Sequence, residues 1–343
     1  MKMMYSGVPA AIKRTHDWFE SNSGWAEPTS DTLQEWLDDD VCECADECWV
    51  AVDGVCEHGL ASWWLVLQAM GEHLELRGPA RRSLLTHAPN FRDLGGIVAS
   101  DGRVLRPGAV FRSGVMDLLD DSDLSRLRAI GVKTVVDLRS SDEVMQRPNR
   151  LPEGVVTHHV AVHDVSAAPR SIIERIAAGD SQGMGAPMLI RGNAAFATTH
   201  RAVFGEVLDI VANPDHWPVV VHCTAGKDRT GFAIAALLWA LDVDQSVVID
   251  NYLESNTALD ARHATILRDM QTRGLDPTVL REMLTCAAEY LDAGHAAAVV
   301  EYGSIDAWLN DGLGIDVATR GRWREHLLEF PEPNAKEALC HSI

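Results

Sequence analysis

The sequence predicts an α/β fold with a central, mostly parallel sheet that is flanked by helices. Short runs of β-branched residues lie between segments with helical patterns, and this alternation is typical of a parallel sheet. The predicted strands cover residues 132–138, 155–162 and 217–221, and a Pro-Gly turn between Val104 and Arg112 adds two short ones. The predicted helices cover residues 121–130, 194–211, 232–241, 258–302 and 317–329.

Length and local composition divide the chain into two domains and a tail. A chain of 343 residues exceeds one ordinary domain, for which about 150 residues is typical. Between Trp25 and Leu60 there are eleven acidic residues and no Lys or Arg. We therefore predict an acidic, Cys-rich N-terminal module over residues 1–86, the α/β domain over residues 87–332 and a tail over residues 333–343.

The formal net charge of −20 argues against nucleic acids and acidic membrane surfaces as partners, because like charges repel. No stretch reaches the roughly 18 apolar residues that a transmembrane helix needs. Residues 1–14 lack the apolar core of a secretory signal, so we expect a cytoplasmic protein. The missing signal and the odd number of cysteines, seven, argue against a disulfide framework.

The segment with the most specific pattern is Val221-His-Cys-Thr-Ala-Gly-Lys-Asp-Arg-Thr-Gly231, which lies between a predicted buried strand and an apolar helix. The five residues between Cys223 and Arg229 are enough to wrap one tetrahedral anion. The N–H groups of such a loop form an anion-binding nest at the helix N-terminus. Gly226 lets the backbone turn, and Arg229 offers a planar fork to two phosphate oxygens.

Cys223 is the predicted nucleophile of this loop. A helix N-terminus and a nearby cation favour the thiolate form of a cysteine, and a thiolate is a strong nucleophile at neutral pH. We expect the Thr230 hydroxyl to donate a hydrogen bond to that sulfur, and His222 to fix the loop. The predicted substrate-binding residues are Thr224, Ala225, Gly226, Lys227 and Thr230.

Five further motifs accompany the loop. They are Asn90-Phe-Arg-Asp-Leu-Gly-Gly96, Phe111-Arg-Ser-Gly114, Asp137-Leu-Arg-Ser140, Asn251-Tyr-Leu-Glu-Ser-Asn256 and Tyr302-Gly-Ser-Ile-Asp-Ala-Trp-Leu309. Together with the His-Cys-x-x-Gly-x-x-Arg-Thr-Gly signature, they resemble the bacterial tyrosine-protein phosphatase family of the protein tyrosine phosphatase superfamily. The resemblance covers about residues 87–330, and the family includes mycobacterial enzymes with broad specificity for phosphoproteins and phosphoinositides.

The resemblance implies that Asp228, inside the loop, is the general acid that protonates the leaving oxygen. The residues leave three alternatives open: Asp228 caps the helix, Asp228 pairs with Lys227, or Asp164 is the acid. Lys227 either attracts a second anionic group of the substrate or is a solvated lysine. The family pattern further implies that Arg92, Asp93, Asp137 and Arg139 form a scaffold of ion pairs behind the site.

These features predict a phosphatase that transfers a phosphoryl group to Cys223 and then hydrolyses the phosphocysteine with water, without a metal. The expected substrate is phosphotyrosine, with phosphoserine, phosphothreonine and phosphoinositides as further candidates. One alternative is a module that binds a phosphorylated partner without turnover. Another is an inositol or sugar polyphosphate phosphatase, for which the arginines of residues 163–200, Arg170, Arg175 and Arg191, are few.

The N-terminal cysteines predict a second kind of site. Cys42, Cys44, Cys48, Cys56 and His58 supply five soft ligands within seventeen residues. Zinc takes four Cys or His ligands in tetrahedral geometry, and a small acidic module with little core benefits from a metal. The spacing matches no common zinc finger, so free thiols remain the alternative to a structural zinc ion.

Overall fold

The computed structural model describes residues 11–15, 18, 28–38, 41–52, 54–70, 85–162, 175–273 and 277–330. The chain divides into two compact units, residues 1–82 and residues 83–343. The predicted tail and the alternative acid Asp164 lie outside the described residues. The predicted domain limits at residues 86 and 332 therefore stay predictions.

The described residues of the N-terminal unit form a two-stranded antiparallel sheet, a helical segment over residues 11–15 and two longer helices. Its elements are α1 (Ser30–Asp38), β1 (Val41–Glu43), β2 (Trp49–Ala51) and α2 (Trp63–Met70). Cys42 of β1 pairs with Val50 of β2. One apolar cluster joins α1, β1 and α2 through the buried side chains of Leu33, Cys42 and Trp63, which is a small core for an isolated unit.

The described residues of the larger unit form two sheets. Their strands are β3 (Arg92–Asp93), β4 (Val104–Leu105), β5 (Val110–Ser113), β6 (Thr134–Asp137), β7 (Val156–His159), β8 (Val219–His222) and β9 (Leu328–Glu329). The first sheet has five strands in the order β3-β5-β8-β6-β7. In it β5, β8, β6 and β7 run parallel, and β3 pairs antiparallel with β5 at one edge. The second sheet pairs β4 with β9. The prediction of a mostly parallel central sheet is therefore confirmed.

Helices flank this sheet. They are α3 (Asp121–Ile130), α4 (Ser141–Gln146), α5 (Ala186–Ala197), α6 (Arg201–Ala212), α7 (Asp228–Ala240), α8 (Gln245–Thr272), α9 (Thr278–Leu284), α10 (Ala288–Tyr302) and α11 (Val317–Leu327).

The central strand β8 is buried on both faces. Val219 and Val221 belong to the large core that includes α7, whereas Val220 belongs to the core that includes α3. Successive side chains of a strand point to opposite faces, so one Val-rich run serves both cores. Helix α7 lies within the large core, with every residue from Arg229 to Ala240 buried. The site at the junction of β8 and α7 therefore rests on the most buried elements of the unit.

Two predicted helices differ from the structure. Residues 194–211 were expected to form one helix, but α5 ends at Ala197 and α6 begins at Arg201. Thr198 lies at the break, and its hydroxyl donates to the Ala194 carbonyl at 2.9 Å, a bond that competes with the helix ladder. The helical region predicted over 258–302 begins earlier, at Gln245, and is divided among α8, α9 and α10.

Candidate active site

Cys223 lies directly after β8, at the carboxyl end of the parallel strands. The side chain of Cys223 is 2% exposed, and α7 begins five residues later at Asp228. Ligands of open α/β sheets bind at this end of the strands. The structure thus confirms the predicted order of strand, loop and helix, with Cys223 at the start of a short loop and Arg229 in the first turn of the helix that follows it.

Gly226 makes the turn of this loop. Its φ angle is +69°, and a Cβ atom there would lie 2.4 Å from the Ser113 carbonyl oxygen, so only glycine fits. The carbonyl oxygen of Gly226 accepts hydrogen bonds from Asn90 Nδ2 and Arg112 Nη2, each at 2.8 Å. Strand β5 and the segment before β3 therefore lock the turn.

A buried polar network extends this support to helix α8. Arg112 Nη1 donates to Asn251 Oδ1 at 2.9 Å, and Arg92 Nη2 donates to the Asn251 carbonyl at 2.8 Å. The Ser255 hydroxyl oxygen accepts from Asn90 Nδ2 at 3.2 Å. Three motifs that are far apart in the sequence thus meet behind the loop, and charge-assisted bonds of this kind fix geometry strongly.

Glu143 holds Arg229 in a bidentate pair. Arg229 Nη1 donates to Glu143 Oε2 at 2.8 Å, and Nη2 donates to Oε1 at 3.0 Å. Thr224 also donates its hydroxyl hydrogen to Glu143 Oε1. The arginine is 3% exposed, so its planar fork is fixed by α4 and by the loop itself.

The environment of Glu143 favours its charged form. Burial alone would raise the pKa of Glu143, but the hydrogen bonds and charge of Arg229 and the Thr224 hydroxyl lower it to about 2. The backbone N–H of Ser140 donates to Glu143 Oε2 at 2.9 Å and completes a capping box at the start of α4. Sequence reasoning missed Glu143. Its only signal, the Ser-x-x-Glu capping pattern, predicts a helix start rather than a partner for Arg229.

Behind Cys223, His222 links the loop to β6. His222 Nδ1 lies 3.1 Å from the Cys223 carbonyl oxygen, and Nε2 lies 3.3 Å from Asp137 Oδ2. Asp137 also pairs with Arg139, at 2.7 Å, as predicted. Burial would raise the pKa of Asp137, but His222 and Arg139 lower it below its usual range. The predicted scaffold is confirmed here. Asp93 instead accepts backbone N–H groups of Gly95 and Gly108.

Lys227 is buried and anchored to the end of α9. Its side chain is 3% exposed, and Nζ donates to the carbonyl oxygens of Met283 and Thr285 at 2.5 and 3.0 Å. Nζ also lies 3.4 Å from Asp228 Oδ1. The interpretation of Lys227 as a solvated lysine is therefore wrong, and its pairing with Asp228 is confirmed.

Asp228 lies in the first turn of α7 with 13% of its side chain exposed. Tyr252 and Cys286 are its neighbours. Burial, together with the charges of Cys286 and Asp228, raises the pKa of the Tyr252 hydroxyl well above its usual value. Burial also raises the pKa of the Cys286 thiol to about 11, although Lys227 opposes this. Tyr252 and Cys286, both with raised pKa values, are thus electrostatic neighbours of Asp228.

The structure does not show the predicted bond from Thr230 to Cys223. Thr230 is fully buried, and within the described residues its Oγ1 has no hydrogen-bond partner. Thr224 and Ala225 lie in the loop between Cys223 and Gly226, and their role in substrate binding stays a prediction. The backbone N–H of Val115 donates to the Thr224 carbonyl at 3.1 Å, which ties this part of the loop to the end of β5.

In the N-terminal unit, the structure changes the predicted metal ligands. Cys48, Cys56 and His58 lie together, and Asp46 joins them. Cys42 and Cys44 do not belong to this group: the Cys42 thiol donates to the Glu43 carbonyl at 3.6 Å, and the Cys44 thiol donates to the Leu60 carbonyl at 3.5 Å. Asp46 was missed because zinc-site patterns are read from Cys and His spacing.

A parallel α/β sheet with a buried Cys-x5-Arg loop between its central strand and a helix defines a cysteine-dependent phosphatase. Residues 84–329 match the tyrosine phosphatase family, which is more than half of the chain. The chain belongs to this family, and the predicted membership is confirmed.

Two relatives support the assignment. A Cupriavidus necator protein, whose name assigns it as a tyrosine-protein phosphatase, is 38% identical over 67% of this chain and 83% of its own length. The triple specificity protein phosphatase PtpB of Mycobacterium tuberculosis is 33% identical over 71% of this chain and 98% of its own length. Among solved structures, TpbA of P. aeruginosa is 16% identical, covering 56% of this chain and 96% of its own, with a TM-score of 0.28. A score this low adds nothing to the assignment.

Proposed function

We propose that the protein hydrolyses phosphate monoesters through a phosphocysteine on Cys223. In the first step the thiolate sulfur attacks phosphorus, the bond from phosphorus to the leaving oxygen breaks, and that oxygen takes a proton from Asp228. In the second step water attacks the same phosphorus and gives its proton to the Asp228 carboxylate. The phosphorus–sulfur bond then breaks, which returns the thiolate and releases inorganic phosphate.

The observation that carries this proposal is the placement of the nucleophile and the guanidinium on one locked loop. Gly226 accepts two side-chain hydrogen bonds at its turn, and Glu143 holds Arg229 with two more. A site that is rigid before the substrate arrives loses little energy in reorganisation as charge develops. Backbone N–H groups and Arg229 supply the positive charge, so this chemistry uses no metal.

Asp228 is the proposed acid because it lies between Cys223 and Arg229, in the first turn of α7, with 13% of its side chain exposed. The ammonium of Lys227 at 3.4 Å supports the carboxylate that remains after the proton has left. Lys227 itself is held by two carbonyl oxygens, and this counts against a role in binding a second phosphate. The buried Thr230 hydroxyl is a further candidate to stabilise the departing sulfur in the second step.

The proposed substrate class is phosphotyrosine on proteins, with phosphoserine, phosphothreonine and phosphoinositides as further candidates. The names of both relatives support protein phosphatase activity, and the name of one states triple specificity.

We also propose a cytoplasmic location. The six described cysteines are free thiols, which suits a reducing compartment. Within the described part of the chain, no helix is long and apolar enough to cross a membrane.

The proposal is tested with Cys223→Ser. This variant should lose turnover of an aryl phosphate completely, while its affinity for a phosphotyrosine peptide, measured by calorimetry, stays close to that of the wild type. Cys42→Ser is the control, since it changes a buried cysteine of the N-terminal unit that has no part in the proposed chemistry, and it should keep most of the activity. Binding with no turnover by the wild-type protein would instead identify a module that only captures phosphorylated partners.

A further inference from the structure

The N-terminal unit contains four metal-binding side chains that the phosphatase chemistry does not use. They are Asp46, Cys48, Cys56 and His58, and the ligand atoms of these residues all lie within 4.8 Å of one another. We propose that these four residues bind one structural zinc ion.

The backbone presents these side chains on two turns. In the first turn, Glu47 N–H donates to the Cys44 carbonyl at 3.0 Å, and Cys44 N–H donates to the Cys48 carbonyl at 2.8 Å. Glu47 adopts a positive φ of 63°, which tightens the turn and places Asp46 and Cys48 two residues apart on it. This turn joins β1 to β2.

The second turn repeats this arrangement. Cys56 N–H donates to the Leu60 carbonyl at 2.9 Å, and Gly59 N–H donates to the Cys56 carbonyl at the same distance. Gly59 has a φ of +81°. Cys56 and His58 are again two residues apart. The two turns are linked by the Cys44 thiol, which donates to the Leu60 carbonyl at 3.5 Å. This bond holds the turn with Asp46 and Cys48 beside the turn with Cys56 and His58.

The distances between ligand atoms suit a tetrahedral zinc ion. With Zn–S near 2.3 Å and Zn–N or Zn–O near 2.0 Å, ligand atoms at tetrahedral positions lie about 3.5 Å apart. Cys48 Sγ lies 3.4 Å from His58 Nδ1, and Cys56 Sγ lies 3.5 Å from Asp46 Oδ2. The distance from His58 Nδ1 to Asp46 Oδ2, 2.7 Å, is that of a hydrogen bond, and the two atoms must separate by a few tenths of an ångström when the ion enters.

The chemistry of the four ligands favours zinc over other cations. Two thiolates and an imidazole are soft or borderline ligands, which suit zinc, whereas calcium and magnesium take oxygen ligands. Binding releases one proton from each thiol, and His58 binds through Nδ1 with its proton on Nε2. The side chain of His58 is 60% exposed, which leaves a route for the ion.

A bound cation would also stabilise this unit in two ways. Between Trp25 and Leu60 there are eleven acidic residues and no Lys or Arg, so a divalent ion reduces the repulsion among them. The apolar clusters of the unit are small, and small units commonly depend on a metal or a disulfide for stability.

The test uses the full chain, purified without chelators and analysed for metal. The wild type should contain about one zinc per chain, and cobalt added after zinc removal should give the thiolate-to-metal absorption of a tetrahedral site. Asp46→Asn and His58→Gln should each lower the bound zinc at least tenfold. The matched controls Glu47→Gln and Glu57→Gln change neighbouring acidic residues of the same two turns and should keep the ion.

Three outcomes would overturn the proposal. The first is a wild type that holds neither zinc nor cobalt. The second is a cobalt spectrum without thiolate absorption, which needs no variant and so stays informative if Asp46→Asn fails to fold. The third is retention of zinc by Asp46→Asn together with loss of zinc in Cys44→Ser, since this result would show that Cys44, and not Asp46, is the fourth zinc ligand. Metal content is measured independently of turnover, so failure here leaves the proposed phosphatase function untouched.

Discussion

Arg229 shows how a single side chain depends on geometry as much as on charge. Its guanidinium spans both oxygens of Glu143, and phosphate binding needs the same planar fork. We predict that Arg229→Lys lowers kcat/KM for an aryl phosphate by about 100-fold or more, since an ammonium cannot form two parallel bonds. Arg128→Lys, an exposed arginine of α3, is the control. A kcat/KM of Arg229→Lys within a few-fold of the wild-type value would show that Arg229 does not bind the transferred phosphate through two parallel hydrogen bonds.

Asp228 is tested by the leaving group. The phenolate that leaves from an activated aryl phosphate is weakly basic and departs without a proton. The serine alkoxide that leaves from a phosphoserine peptide is strongly basic and needs a proton from the acid. Asp228→Asn should therefore slow the phosphoserine peptide far more than the aryl ester, with a difference of about 100- to 10,000-fold. The measurement is the ratio of kcat/KM for the two substrates in each protein.

The control for this ratio is Asp250→Asn, which changes an exposed aspartate of α8 and should leave the ratio unaltered. A loop defect in Asp228→Asn would slow both substrates alike, and an equal loss would count against the acid role. The same ratio measured for Asp164→Asn decides between the two candidates, because a selective loss there moves the role to Asp164.

At the residue scale, sequence reasoning found the groups that share one contiguous motif and missed their distant partners. Cys223, Gly226 and Arg229 lie within seven positions between a buried strand and an apolar helix, so one local pattern predicts an anion-binding loop. Glu143 lies 86 positions from Arg229, and no local pattern shows that the two meet. The sequence leaves Lys227 open between binding a second anionic group and being solvated, and neither reading predicts its contacts, because backbone carbonyl oxygens at the end of α9 accept its hydrogen bonds and leave no side-chain pattern in the sequence.

At the scale of elements, the pairing of α4 with the loop gives a prediction about pH. The pKa of Glu143 is lowered from 4.5 to about 2 in the folded protein. A lowered pKa stabilises the fold above the unfolded value, so this contribution is complete above about pH 4.5 and is lost as pH falls toward 2. A shift of this size corresponds to about 3 kcal/mol.

The measurement is urea unfolding of the wild type and Glu143→Gln from pH 7 down to pH 3. The difference in unfolding free energy should be largest near neutral pH and should shrink below about pH 4.5. Glu153→Gln changes an exposed glutamate of the same unit, and its difference from the wild type should stay constant with pH. A gap for Glu143→Gln that does not narrow in acid would mean that the pair with Arg229 does not stabilise the fold.

The elements themselves were predictable where burial dictates the pattern. The Val-rich runs of β6 and β8 are buried on both faces, and such runs are typical of parallel sheets. The break between α5 and α6 was not predictable from apolar periodicity, which continues across it. At the break the Thr198 hydroxyl donates to the Ala194 carbonyl, a bond that competes with the helix ladder and that apolar periodicity does not reveal.

For the whole molecule, the central fact is that an anion site is embedded in a chain of net charge −20. Two arginines near the loop are paired with acidic groups, Arg229 with Glu143 and Arg92 with Glu254. The long-range field therefore repels anionic substrates, while the loop attracts phosphate only at short range. Peptides with basic residues around the phosphorylated side chain should be favoured in diffusional encounter.

This field predicts opposite salt effects for two substrates. Raising the ionic strength from about 0.01 M to about 0.15 M shortens the Debye length from about 30 Å to about 8 Å. The kcat/KM for a phosphotyrosine peptide flanked by Asp and Glu should therefore rise, because repulsion is screened, and that for the same peptide flanked by Lys should fall. Anions of the salt compete for the loop equally against both peptides, so the ratio of the two rates isolates the long-range effect. If both peptides respond to salt in the same way, the loop and its nearest neighbours alone govern encounter, and the net charge of the chain plays no part in choosing the substrate.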